Sequence, residues 1–477
     1  MYIKRKAGSK EQFSLQHLMD KKYRIERDPL GAKMIPEDAY YGVQTRRAIE
    51  NFPISGLTMH PLMAEATVMI KVAAAETNMA LGGLKAEIGE AIIQAAREVL
   101  EGKITGQFVV DVYQAGAGTS YNMNINEVLA NRALEILGKK RGDYTVVHPN
   151  DHVNMGQSTN DVFPTAMRLA ALRAVAGLYP VGMNLAQALK DKGEEFYPII
   201  KAGRTHLQDA VPMRLGHEFR AYGQTVEDDF ERLRHAAKEL EYLGIGATAV
   251  GTGTNTLPGY REMVIEKLFI LTRFDLKPKK DLFEATQNMN VFASIAAQLK
   301  LVALDVGRIA NDLRLLSSGP RTGLAEITLP AVQPGSSIMA GKINPVIAEM
   351  MNMVCFQVIG NETTVDMAVQ AGQLELNVMM PVIIHNILTS IQILQNALSI
   401  FTERCVQGIT ANPETCRRYA EMSTALATLL NSYIGYEKAA ALAKEAFARN
   451  MPIKDLAREK GILTDEEIEK IFRSAPA

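Results

Sequence analysis

Phe283-Glu284-Ala285-Thr286-Gln287-Asn288-Met289-Asn290-Val291-Phe292-Ala293-Ser294-Ile295-Ala296-Ala297-Gln298-Leu299-Lys300-Leu301-Val302-Ala303-Leu304-Asp305-Val306-Gly307-Arg308-Ile309-Ala310-Asn311-Asp312-Leu313-Arg314-Leu315-Leu316 lies in a proline-free window between Pro278 and Pro320. Within it Val291, Ile295, Leu299, Val302, Val306, Ile309, Leu313 and Leu316 recur at threes and fours. That spacing is an apolar seam repeating near every 3.5 residues, which packs on neighbouring helices at shallow angles. It predicts a helix from about Phe283 to Leu316, roughly 50 Å long at ~1.5 Å per residue. Pro212 to Pro258 and Pro345 to Pro381 also bound proline-free windows, and there too a helix can run without a kink. Several such rods predict a mainly α protein built on a long central helical bundle. A bundle from one chain leaves apolar faces over, so the rods are expected to pair with copies of themselves. A coiled coil used only as scaffolding has the same periodicity.

The rest of the composition agrees. At 477 residues and 47% hydrophobic, the chain can bury a large core and divide into two or three domains. Lys and Arg total 52 against 53 for Asp and Glu, a formal net charge of -1, which does not suit nucleic acid or an anionic membrane. Trp is absent and Met numbers 23, a profile that fits packed helices. Cys355, Cys405 and Cys416 lack metal or redox spacing and read as buried thiols in a reducing compartment. Residues 1–22 are basic without the apolar segment of a secretory signal, and read as a flexible leader of a soluble, cytoplasmic protein. The expected divisions after it are a mixed, mostly helical N-terminal domain (23–160), the long-helix bundle (161–412) and a small helical domain (413–477). In the last, Thr464 and Glu467 fit a capping box.

Four segments gather small polar side chains beside glycine or at a helix start. They are Gly116-Ala117-Gly118-Thr119-Ser120-Tyr121-Asn122-Met123-Asn124, Gln157-Ser158-Thr159-Asn160-Asp161, Gly203-Arg204-Thr205-His206-Leu207-Gln208-Asp209-Ala210 and Gly335-Ser336-Ser337-Ile338-Met339-Ala340-Gly341-Lys342-Ile343-Asn344-Pro345. Any one of them could be a helix cap or a plain loop. Helix starts also present N–H groups and partial positive charge to anions, and four such ends suggest a pocket for a small dianion. Lys342 and Asn344 offer donors suited to a carboxylate. His206 is either a structural hydrogen-bonding residue or part of a site. No HExxH or clustered Cys/His spacing points to a metal. Gly246 to Gly253 lacks the Lys of a phosphate loop and reads as a turn between long helices.

Together these segments closely resemble the aspartase/fumarase superfamily. Its mark, Gly-Ser-Ser-x-Met-x-x-Lys-x-Asn-Pro, is matched from Gly335 to Pro345, and the resemblance runs from about Tyr23 to Phe472. Ala117-Gly118-Thr119-Ser120, Ser158-Thr159-Asn160-Asp161 and Ala371-Gly372-Gln373-Leu374-Glu375-Leu376-Asn377 look like its aspartate-deaminating branch. Three positions depart: Gly156 where serine is common, Ala340 where proline is usual, and Met380 where an acidic residue is frequent.

The resemblance implies a carbon–nitrogen lyase that reversibly deaminates L-aspartate to fumarate and ammonia. Ser336 would abstract the Cβ proton as an alkoxide, giving an enediolate on the β-carboxylate. Thr119, Ser158, Thr159 and Ser337 would hold that carboxylate, and Lys342, Asn344 and Thr205 the α-carboxylate. Asn160 and His206 would face the amino group, with His206 in a catalytic role. No metal or organic cofactor is implied. The family's architecture implies a homotetramer around a core of about 20 helices, with each site shared by three subunits. A class II fumarate hydratase and a catalytically silent structural member are the alternatives that remain at this stage.

Overall fold

The computed structural model of the protein describes residues 22–467 and residue 470; apart from Lys22, the expected leader lies outside the described residues. The fold is mainly α. Its strands are short, and among the described residues each sheet has two of them.

The seam forms the Asn290–Leu316 helix, where Ile295, Val302, Val306, Ile309 and Leu313 are wholly buried. Each such side chain contributes roughly 1.5–3 kcal/mol over its exposed state. The helix starts later than predicted. Leu282–Gln287 is a separate short helix, Asn288 is extended, and Asn288 Oδ1 accepts the Asn290 N–H at 2.8 Å. An asparagine side chain that bonds the backbone two residues on competes with helix propagation. The rod is therefore about 40 Å long rather than 50 Å.

The longest helix, Thr159–Glu195, has 37 residues and carries Pro164 and Pro180 within it. Proline-free windows could not reveal it, because packing here tolerates the lost backbone donors. Thr159–Glu195 and Asn290–Leu316 are long and apolar enough to cross a bilayer, yet about half of each apolar window is buried inside the protein.

Contacts group the chain into two compact units, both discontinuous in sequence. The groups differ from the sequential segments 23–160, 161–412 and 413–477, because their boundaries fall inside the long helices. Among the described residues, the first unit holds 22–176, 234–297 and 360–391. In it the Pro61–Ala80 helix packs against Ala86–Leu100 and Tyr260–Thr272, and Ala86–Leu100 packs against Thr119–Ile136. Small residues allow this: Ala73, Ala74, Ala95 and Ala96 are fully buried.

Among the described residues, the second unit holds 177–233, 298–359, 392–467 and 470. Its antiparallel hairpin, Ile200–Thr205 with Gln208–Arg214, packs on the Pro413–Met422 helix. Leu430, Leu442 and Leu456 centre a small C-terminal core. The capping box is present: Glu467 N–H donates to Thr464 Oγ1 at 3.2 Å, and Thr464 N–H donates to Glu467 Oε2 at 2.8 Å.

Candidate active site

In the first unit two of the polar segments meet. Thr119 opens the Thr119–Ile136 helix behind Gly118, whose φ is +90°. A Cβ there would also fall 2.2 Å from the Phe163 ring, so only glycine lets this helix start approach. Thr159 opens the next long helix, and the Asn122 Nδ2 of the first donates to Thr159 Oγ1 of the second at 3.0 Å. Ser158 acts as a cap, its Oγ accepting the Asn160 N–H at 3.2 Å. Thr119 Oγ1 donates to the Gly116 carbonyl at 2.7 Å, which spends its hydrogen locally. Asn160 donates through Nδ2 to the Ala249 carbonyl at 2.8 Å, leaving its amide oxygen as the group able to receive an ammonium.

Behind these hydroxyls lie residues that sequence reasoning passed over. Lys71 is fully buried and donates to Asn122 Oδ1 at 2.9 Å, Asn154 Oδ1 at 3.0 Å and Gln157 Oε1 at 2.9 Å. Burial pulls its pKa down to about 7, against the opposing charge of Asp161. Asp161 is pushed up to about 6 by burial, although it accepts three backbone N–H groups, from Ser158, Gly246 and Thr248. The glycine-rich turn thus fixes the start of the Thr159–Glu195 helix. The signal for Lys71 was present: a lone lysine in the apolar run Met69-Ile70-Lys71-Val72-Ala73-Ala74-Ala75. Gly156 is also explained, since φ is +71° and a Cβ would sit 3.3 Å from the Tyr260 ring. Met380 is fully buried, a place where a carboxylate would lose its hydration.

The second unit carries the other two segments. Thr205 pairs with Gln208 across a two-residue turn in which His206 and Leu207 have φ of +56° and +58°. This is the left-handed turn a tight hairpin needs, made without the usual Asn or Gly. The non-glycine strain costs roughly 1–2 kcal/mol per residue and projects Thr205 and His206 into the open. The hairpin is anchored by charge: Glu326, fully buried, receives Arg204 Nη1 and Lys201 Nζ on Oε2, each at 2.9 Å. Lys201 also reaches both oxygens of Glu218 at 2.9 Å.

Residues 335–344 form a closed loop. The Gly335 N–H donates to the Lys342 carbonyl at 2.8 Å, and the Asn344 amide donates to the Gly335 carbonyl. Inside the turn, Ser336 Oγ accepts the Met339 N–H at 2.9 Å and the Ile338 N–H at 3.2 Å. Ser337, Ile338, Met339, Ala340 and Lys342 are exposed. Lys342 and Asn344 border a cleft of about 480 Å³ that includes Arg314, Ser317 and Asn412. A larger opening of about 830 Å³ beside Glu37 and Arg141 contains none of the sequence-selected residues. No hydrogen bond among the described residues ties Thr205 or His206 to the Ser336 loop.

Chemically, the loop can stabilise an oxyanion on a serine. The helix starts around Thr159 can bind a carboxylate. The three thiols take no part: all are buried, and burial pushes each up to about 12.

Comparison with known proteins agrees with this inventory. A family model described as Lyase matches residues 31–360, and one described as Fumarase C C-terminus matches residues 426–475. The aspartate ammonia-lyase of Bacillus subtilis is 50% identical over 452 residues, 95% of each chain. That of Escherichia coli is 46% identical over 457 residues, covering 95% of this chain and 96% of its own. Among solved structures, a fumarate lyase:delta crystallin from Brucella melitensis bound to cobalt superposes with a TM-score of 0.93 at 48% identity, over 96% of this chain and 100% of that one. A class II fumarase from Schistosoma mansoni gives 0.91 at 38% identity, over 94% and 98%. Matches of this length and identity, on a chain that carries the serine loop intact, leave one conclusion: it belongs to the aspartase/fumarase superfamily of lyases.

Proposed function

We propose that the protein catalyses the reversible deamination of L-aspartate to fumarate and ammonia. The observation that carries this reading is the pair of backbone N–H groups aimed at Ser336 Oγ. A free serine is far too weak a base for a hydrogen beside a carboxylate. Two fixed donors stabilise the alkoxide before substrate arrives, at no reorganisation cost during reaction. The alkoxide takes the Cβ proton and becomes a hydroxyl, and the C–H electron pair moves into the β-carboxylate as an enediolate. That pair then returns to form the double bond as the Cα–N bond breaks and ammonia leaves.

Each well-placed donor on the enediolate lowers the barrier by about 3 kcal/mol. We assign that task to Ser158, Thr159, Ser337 and Thr119, the last after its hydroxyl turns from Gly116. Lys342, Asn344 and Thr205 hold the α-carboxylate, while Asn160 and His206 meet the amino group. We infer a cytoplasmic homotetramer whose sites draw on three subunits. Exposed apolar side chains on the long helices support assembly: Leu304 is 50% exposed, Met353 63% and Phe356 65%.

Fumarate absorbance, followed as purified protein receives L-aspartate, tests the reading. A rise is expected with aspartate and not with L-malate. Turnover of malate alone would instead make the protein a fumarate hydratase, and silence towards both would favour a structural member of the superfamily.

A further inference from the structure

In its protonated form Lys71 carries only donors, so whatever faces the ammonium must be an acceptor. Its three hydrogens meet the amide oxygens of Asn122, Asn154 and Gln157. The orientation of all three amides is thereby fixed. Asn122 must turn its NH2 the other way, where it donates to Thr159 Oγ1 at 3.0 Å and to Asn154 Oδ1 at 3.1 Å. With that donor on its oxygen, the Thr159 hydroxyl hydrogen has no protein acceptor among the described residues. Thr159 is 9% exposed, enough to reach a ligand at its helix start.

We propose that Lys71 is a positioning residue that acts through Asn122 to point the Thr159 hydroxyl hydrogen at a bound carboxylate. The inference rests on the reading of Thr159 as a substrate-binding residue. The relay is one of polarity: a donor-only cation orients an amide, and the amide orients a hydroxyl. Nothing in it requires Lys71 to touch substrate. Burying a cation without a paired carboxylate is costly, and no ion pair among the described residues reaches Lys71.

Asn122→Asp tests the relay without removing a group from the core. The new carboxylate gives Lys71 a counter-ion, which offsets the donor lost to Asn154 Oδ1, and an acceptor now faces Thr159. The hydroxyl must turn inward. Binding of succinate, an unreactive four-carbon dicarboxylate, is read by calorimetry, so the result does not depend on which substrate is turned over. We expect roughly tenfold weaker binding in Asn122→Asp and in Lys71→Met, with unchanged Tm in the former. In a Thr159→Val background each of these changes should weaken binding less than twofold further. Tenfold losses that persist in that background would assign the effect to charge at position 122 and overturn the relay, as would full-strength succinate binding by Asn122→Asp. The aspartate assay on the unaltered protein decides the proposed reaction separately.

Discussion

Gly335 donates its N–H to the carbonyl of Lys342 at 2.8 Å, so the residue before Ser336 is tied to the cation of the same loop. Its lack of a side chain is required. A Cβ at Gly335 would lie 2.5 Å from the Lys342 oxygen and 2.6 Å from the Asn344 nitrogen. Gly335→Ala is expected to spread the loop and lower kcat at least about tenfold. Most of the loop is already in solvent, so stability should move by no more than about 0.5 kcal/mol. Wild-type turnover in this variant would count against a need for the closed loop.

Ser336→Ala removes the proposed base and leaves the proposed carboxylate donors. We expect kcat to fall by roughly 10³-fold or more while succinate still binds within a few-fold. If tight binding were lost along with turnover, Ser336 would be a binding group.

A site divided among subunits predicts complementation. Mixing Ser336→Ala subunits with His206→Ala subunits, then dissociating and reassembling them, should regain part of the activity that neither parent shows. No recovery in verified mixed assemblies would place each whole site within one chain.

Asp229 is nearly fully buried, and burial together with the neighbouring Asp305 carboxyl pushes it up to about 7, against the pull of Arg232. Its pKa in the folded state lies above the unfolded value of about 3.9, so the stability tied to its proton is complete below that value. It is lost as pH rises towards 7. Asp229→Asn should therefore flatten the dependence of Tm on pH between 4 and 8, and should exceed the parent's Tm at pH 8. Parallel Tm curves would refute the shifted titration.

Glu326→Gln weakens the clasp on Arg204 and Lys201. Breaking one member of a buried ionic cluster costs about 3–5 kcal/mol, and the amide should lose towards the lower end because Glu218 still receives Lys201. Chemical denaturation would read this as a lower midpoint at unchanged slope.

How legible this was depended on range. The seam from Ile295 to Leu316 is a local pattern with a physical period, and it fixed both the helix and its buried face. The start of that helix was misplaced because Asn288 ends the preceding turn by a bond within three residues, which apolar spacing does not record. The Thr159–Glu195 helix escaped because the proline rule weighs lost donors and not the packing that offsets them. Of the candidate site residues, the segments containing Thr119, Ser158, Thr159, Thr205 and the Ser336 loop were visible as polar runs beside glycine. Lys71 and Asn154 were not singled out, since their meaning lies in partners 51 to 86 positions from Lys71. The fold of the 203–210 segment was also hidden: a His-Leu pair is a poor sequence signal for a hairpin turn.

That turn has a consequence for inheritance. At positions 206 and 207 the peptide occupies a region of conformational space that Val, Ile and Thr enter only with severe crowding. Mutational drift there is screened by stereochemistry before any catalytic test applies, and the alternatives left open are chiefly Gly, Asn and Asp.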